Sequence, residues 1–140
     1  MPEISFRLFK GLLYMPVTIT NKGQKLLLNN CIFDTGSAGT TFDTEEAAKI
    51  GIKSTLESKL KRLVTVGGYQ TVFTHCVDIL LLGNQTLHKI EVEVGNLHSK
   101  FGIEGIIGTD LMRLFDWEII FSQSKIRMYE FHQVSIHQTE

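Results

Sequence analysis

Short apolar runs, some of them loosely alternating with polar residues and bounded by turn-forming residues, cover most of the chain, and this pattern predicts β-strands. The clearest pair is Leu13–Thr20 and Leu26–Phe33, which flank the turn-forming stretch 21–24 and are predicted to form a hairpin. We therefore expect a mostly β fold. The other predicted strands are Ile4–Phe9, Leu63–Val66, Tyr69–Phe73, Cys76–Leu82, Lys89–Val94, Trp117–Phe121 and Lys125–Phe131.

Two short helices are expected to interrupt the strands. Asp43 is a favourable N-cap with Glu46 three residues later, a capping-box spacing, and Gly51 stands where a glycine ends a helix of about two turns. A second short helix is predicted from about Asp110 to Phe115. The expected fold is thus mostly β with one or two short helices.

The length of 140 residues is that of one domain. We assign residues 1–134 to it and regard 135–140 as a polar, frayed tail. A net charge of −1 without a basic stripe predicts no nucleic-acid partner. The first twenty residues lack an apolar signal region, and no run approaches the ~20 apolar residues of a membrane span. We expect a cytoplasmic protein with no membrane partner.

Cysteine and histidine positions argue against metal chemistry. Cys31 and Cys76 each lie inside an apolar run, so we expect both to be reduced and buried. His75 neighbours Cys76, which puts the two on opposite faces of a strand, and the histidines at 88, 98, 132 and 137 match no zinc spacing. No metal or other cofactor is expected.

The candidate chemistry lies where an apolar strand runs into Asp34-Thr35-Gly36-Ser37. Asp34 supplies a carboxylate, Thr35 a hydroxyl that can brace the loop, and Gly36 the freedom for a tight turn. Ser37 can donate a hydrogen bond to a carboxylate oxygen. The same four residues are also compatible with an ordinary turn in which the Asp side chain bonds the backbone, so the motif needs support from elsewhere in the chain.

That support comes from a second segment, Gly105-Ile106-Ile107-Gly108, which precedes Thr109-Asp110 and a predicted helix. With both motifs in this order, the chain resembles the retropepsin-like aspartic proteases, including small bacterial relatives, over residues 4–130. The resemblance implies a single-domain, closed β-barrel-like acid protease fold with Asp34 as the catalytic residue. It also implies a flap at Gly67, Gly68 and Tyr69, and a structural rather than chemical role for Asp110, including helix capping.

Aspartic proteolysis needs two carboxylates around one water, and the chain has one Asp-Thr-Gly. Two close carboxylates share a proton, so that the ionised one activates the water while the protonated one polarises the scissile carbonyl. The resemblance therefore implies a homodimer in which Asp34 meets its own copy, acting on an extended polypeptide. The alternative is a dimer of the same fold that binds peptides or assembles with weak or no catalysis.

Overall fold

The computed structural model describes residues 3–65, 68–97 and 102–130. The described chain is mostly β, which confirms the predicted fold class, with short helices α1 (Thr44–Ala48) and α2 (Thr109–Met112) and a 3₁₀ turn over Phe121–Gln123. Its strands are β1 (Glu3–Ser5), β2 (Arg7–Phe9), β3 (Leu12–Asn21), β4 (Gln24–Phe33), β5 (Thr41–Asp43), β6 (Leu60–Thr65), β7 (Gly68–Leu82), β8 (Gln85–Gly95), β9 (Gly105–Ile107), β10 (Asp116–Ile120) and β11 (Lys125–Tyr129).

Within the described residues the strands form two sheets. The larger sheet has the order β2-β3-β4-β9-β5-β8-β7-β6, and an additional pairing of β3 with β7 closes its middle strands into a ring. The smaller sheet has the order β1-β11-β10. The ring is the scaffold for the Asp34 motif, because β4, β9 and β5 are consecutive neighbours in it.

The predicted division of the chain into strands was wrong at two places, both for non-local reasons. The segment predicted as one strand over 4–9 divides at Phe6, since β1 pairs with β11 whereas β2 pairs with β3. Conversely, 69–73 and 76–82 belong to the single strand β7, because its pairing with β8 runs from Phe73 opposite Val94 to Leu82 opposite Gln85. Residues 131–140, which include the predicted tail, lie outside the described part, as do Val66 and Gly67.

The main core lies inside the ring. Met15, Ile19, Leu28, Leu80 and Ile107 are fully buried in it. Each such side chain contributes about 1.5–3 kcal/mol relative to an exposed position. Strand β3 is central to this packing because it pairs with β4 on one side and with β7 on the other.

Helix α1 begins as its sequence predicts. The Asp43 carboxylate accepts hydrogen bonds from the N–H groups of Glu45 and Glu46. Other bonds take the place of the reciprocal half of a capping box: the Asp43 N–H donates to the distant Glu104 carbonyl, and the Glu46 carboxylate pairs locally with Lys49, three residues on. The cap therefore fastens α1 to the end of β5, directly beyond the Asp34 loop.

The expectation that both cysteines are buried holds for Cys31 and is wrong for Cys76. Cys31 is fully buried, whereas Cys76 is exposed. Its neighbour Val77 is fully buried, so alternation along β7 turns Cys76 outward.

Histidine, cysteine and acidic side chains of the described ranges form no group of three or more that could hold a metal ion. His75 instead contacts the Asn21 side-chain oxygen at 3.0 Å. His98, His132 and His137 lie outside these ranges. No described helix is long and apolar enough to cross a membrane.

Candidate active site

Asp34 follows β4 directly and begins a tight turn. Its N–H donates to the Ile107 carbonyl at 3.0 Å, so the end of β4 is still fastened to β9. Its half-buried carboxylate accepts a 2.8 Å bond from the Gly36 N–H, and the Asp34 carbonyl accepts from the Ser37 N–H at 3.2 Å. The motif thus forms the turn in which the Asp side chain bonds the backbone, and the same turn holds the carboxylate in a defined position.

Alternation along β4 separates the surroundings of Asp34 from the main core. Phe33 packs edge-on against Trp117, with ring centroids 5.0 Å apart. Because successive side chains point to opposite faces, Ile32 shares the face of Asp34. Ile32 belongs to a second buried cluster, separate from the main core, which also contains Tyr14, Ile103 and, partly buried, Ile106. Asp34 therefore stands at the end of an apolar wall.

The other residues of the motif shape the loop. A Cβ at Gly36 would lie 3.1 Å from the Asp34 carboxylate, so glycine leaves room for it. Thr35 is exposed. The expected bond from Ser37 to a carboxylate is replaced, in this chain, by a 2.8 Å bond from its hydroxyl to the Gly39 carbonyl.

The segment Gly105-Ile106-Ile107-Gly108 threads between the two arms of the Asp34 loop. Strand β9 pairs in parallel with β4 and antiparallel with β5. A Cβ at Gly108 would lie 2.6 Å from the carbonyl oxygens of both Ser37 and Gly39, and one at Gly105 would lie 2.9 Å from the Cys31 sulfur. Contacts this short exclude a side chain, so both glycines are needed for the backbones to approach.

Thr40, which the sequence analysis did not single out, is the centre of the bracing behind the loop. It is fully buried. Its hydroxyl donates to the Asp110 carboxylate at 2.8 Å and accepts from the Gly108 N–H at 3.1 Å, while its own N–H donates to Asp110 at 3.1 Å. A threonine at a strand start is too common to have signalled this role.

Asp110 is hydrogen-bonded behind the loop, and it is not the residue at the N-cap of the helix. The N-cap of α2 is Gly108, and Asp110 lies in the first turn. Its carboxylate is occupied by Thr40 and by the Leu111 N–H at 2.8 Å. Helix α2 is also shorter than predicted, since it ends at Met112, whose carbonyl accepts a bond from the Trp117 indole.

The hairpin of β6 and β7 carries the candidate cover of the site. Of the three residues predicted there, Gly67 lies outside the described residues. Gly68 has a φ of +125° and open space around it. Tyr69 is 73% exposed, with the Arg62 guanidinium 5.1 Å from its ring, so it is not a packed core aromatic.

A further group near the loop was missed because alternation cannot reveal it. Glu91 and Glu93 share one face of β8, yet Glu91 is exposed whereas Glu93 is only 7% exposed. Glu93 bonds to Thr41 on β5 and pairs with Lys61 on β6. The end of the loop that carries Asp34 is therefore hydrogen-bonded to two carboxylates, Asp110 through Thr40 and Glu93 through Thr41.

Comparisons with known proteins agree with this geometry. A sequence model of the family described as aspartyl protease matches residues 15–111, from β3 to α2. Among solved structures, a retropepsin-like aspartic protease from Rickettsia conorii is similar with a TM-score of 0.65 and 21% identity, over 91% of this chain and 90% of that one. No curated protein gives a significant match. The chain therefore belongs to the aspartyl protease family and has the retropepsin-like fold.

Proposed function

We propose that two copies of this chain pair to form an aspartic endopeptidase that hydrolyses peptide bonds between their Asp34 carboxylates. The supporting observation is the Asp34 loop, in which a half-buried carboxylate is held by the Gly36 N–H and braced from behind through Thr40 and Asp110. Positioning of this kind is what a reacting group needs. One chain contains one such motif, so the second carboxylate comes from the copy.

In the proposed reaction one Asp34 is ionised and the other protonated, since like charges so close cannot both ionise cheaply. The ionised carboxylate takes a proton from water as its oxygen attacks the scissile carbonyl carbon. The other carboxylate gives its proton to the carbonyl oxygen. The tetrahedral diol then collapses: one of its hydroxyls gives a proton to the carboxylate that is now ionised, the C–N bond breaks, and the leaving nitrogen accepts a proton from the other carboxyl group. Water is the nucleophile throughout, so no acyl-enzyme forms.

The proposed substrate is an extended polypeptide with apolar side chains next to the cleaved bond. Ile32, Ile106 and Tyr14 belong to the cluster on the Asp34 side of β4, and apolar walls favour apolar side chains. An extended peptide would gain main-chain hydrogen bonds along the cleft. The β6–β7 hairpin, with Gly67, Gly68 and Tyr69, would close over it as a flap.

Peptide-library cleavage by wild type and the Asp34→Asn variant across pH tests this function. We expect wild-type cleavage with an acid-shifted optimum and a loss of about 10³-fold or more in the variant. Asp78→Asn, which alters a partly exposed carboxylate on β7 that pairs with Lys89, is the matched control and should retain activity. Cleavage that survives Asp34→Asn contradicts the assignment. Unchanged peptide binding in that variant, with no cleavage by either protein, favours the binding-module alternative.

Subunit mixing tests the shared site. If each active site needs two Asp34 residues, a roughly ninefold excess of Asp34→Asn chain should lower wild-type activity to about one tenth once subunits exchange. A monomeric enzyme would be unaffected. Sedimentation should show a dimer over the same concentrations, and full activity of a pure monomer would refute the pairing.

A further inference from the structure

Glu93 is a buried carboxylate that the proposed reaction does not use. Its side chain is 9% exposed. One carboxylate oxygen accepts a 3.1 Å bond from the Thr41 hydroxyl, and the other lies 2.8 Å from the Lys61 ammonium. Its N–H donates to the Thr40 carbonyl at 2.8 Å. Glu93 thus joins β8, the end of the Asp34 loop and β6.

The Glu93 carboxylate also forms part of the surface on which the loop rests. A Cβ at Gly39 would lie 2.7 Å from one Glu93 oxygen and 2.9 Å from the other. Gly39 in turn accepts the Ser37 hydroxyl bond that closes the loop. A displacement of the Glu93 side chain therefore removes support directly beneath the loop that presents Asp34.

Lys61 connects this support to the β6–β7 hairpin. Lys61 is opposite Val72 on β7, and Glu93 is opposite Thr74 on the other side of the same strand. Val72 and Thr74 share a face, so the Lys61 side chain crosses β7 diagonally to reach Glu93. The Glu93 carboxylate holds the pKa of Lys61 above its ordinary value. Because Glu93 is shielded from water, its loss of this partner would be costly.

We propose that Lys61 and Glu93 are positioning residues that hold the base of the flap hairpin at a fixed place over the Asp34 loop. The proposal rests on the proposed protease function for its kinetic consequence. When Lys61 and Glu93 are paired, which we call the tether, the base of the hairpin is already fixed. A bound peptide then contacts both the hairpin and the Asp34 loop. Without the tether, binding a peptide must also order the hairpin, which weakens binding of substrate and transition state alike.

The experiment compares Lys61→Met, Glu93→Gln and the double variant with wild type. Lys61→Met keeps the side-chain stem and removes the charge, while Glu93→Gln keeps the shape and the acceptor for Thr41. Lys89→Met is the matched control, because Lys89 forms a 2.6 Å pair with Asp78, between β8 and β7, outside the loop contacts. Hydrogen–deuterium exchange of the β6 amides reports on the tether independently of catalysis, and steady-state kinetics report on its consequence.

We expect β6 amides to exchange about tenfold faster in both single variants, with no further change in the double variant because the two side chains act as one pair. KM should rise about fivefold with kcat within about twofold, which is the pattern of lost uniform binding. Lys89→Met should match wild type in every measurement.

Unchanged β6 exchange in Lys61→Met overturns the proposal, and so do additive effects or equal losses in Lys89→Met. If Glu93→Gln does not fold, Lys61→Met alone decides the matter. A wild type that cleaves no peptide refutes the protease function, while the exchange measurement still decides whether the tether exists.

Discussion

The Asp34 loop and the β6–β7 hairpin, the two parts of the proposed active site, are held in opposite ways. Behind the loop, Thr40 is fully buried and bonded to Asp110, and Gly108 leaves no room for a Cβ. In the hairpin, Leu60 and Tyr69 are 70% and 73% exposed. The loop is braced from behind by buried groups, whereas these two side chains of the hairpin are mostly exposed to solvent.

This difference follows from what each part must do in the proposed reaction. A carboxylate that meets its copy across a dimer axis needs a fixed position, and close packing makes displacement costly. A cover that admits a polypeptide must open, and segments with few buried contacts open at low cost. Substitutions in the loop should therefore change stability first, and substitutions in the hairpin should change turnover first.

Gly108→Ala should have the largest effect on stability. Its methyl group would lie 2.6 Å from two carbonyl oxygens, and because both belong to the backbone, overpacking should cost about 3 kcal/mol or more. Gly11→Ala is the control, since Gly11 has a φ of +78° with open space around it and should lose only about 1–2 kcal/mol through strain. Urea unfolding measures both. Similar losses of stability in the two variants would contradict the close approach of Gly108 to the Ser37 and Gly39 carbonyl groups.

Thr40→Val should come next. Valine keeps the shape and removes the hydroxyl, which leaves the buried Gly108 N–H without its acceptor at a cost of about 2 kcal/mol. Activity should fall as well, because the loop loses its hydroxyl bond to Asp110 and keeps only the bond from the backbone N–H. Thr71→Val, at an exposed position of β7, should change stability by less than about 0.5 kcal/mol. Equal effects of the two substitutions would count against Thr40 as the centre of the bracing.

Replacing Gly67 and Gly68 with valine should slow turnover by about tenfold, and strain at Gly68, whose φ is +125°, should cost about 1–2 kcal/mol of stability. The expected cause is a hairpin that opens and closes less readily. Gly23→Val is the control, because Gly23 also occupies an open turn with a positive φ of +81° but lies in the β3–β4 hairpin. Steady-state kinetics and thermal unfolding on the same samples separate the effects. Unchanged turnover would contradict the flap assignment.

Thiol labelling is expected to have the smallest effect on the protein. It compares the region of Cys31, close to the Asp34 loop, with that of Cys76 on β7. Cys31 lies beneath Gly105, and burial, helped by the Glu104 charge, raises its pKa far above the ordinary range, so it stays a protonated, unreactive thiol. Cys76 on β7 is exposed and should react readily with a disulfide reagent. Wild type should label once and Cys76→Ser not at all until denatured. Labelling of native Cys76→Ser would mean that the region beneath the loop opens.

Features governed by near neighbours in the chain were predictable from the sequence. The β3–β4 hairpin follows from alternating strands around a turn, and the start of α1 follows from Asp43 as its cap. The location of Asp34 at the end of β4 follows in the same way. These predictions held because turn chemistry, alternation and capping act over a few residues.

Tertiary structure alone decided which polar groups are buried and what they bind. Nothing in the local pattern distinguishes Glu93 from Glu91 or marks Thr40 as fully buried. Those outcomes depend on which strands become neighbours, and the burial of a side chain is set by groups far away in the sequence. The amino-acid sequence by itself determined the carboxylate, its turn and the strand that carries it. Strand pairing decided which groups brace that turn, because Thr40, Gly108 and Asp110 come together only when the ring of strands closes.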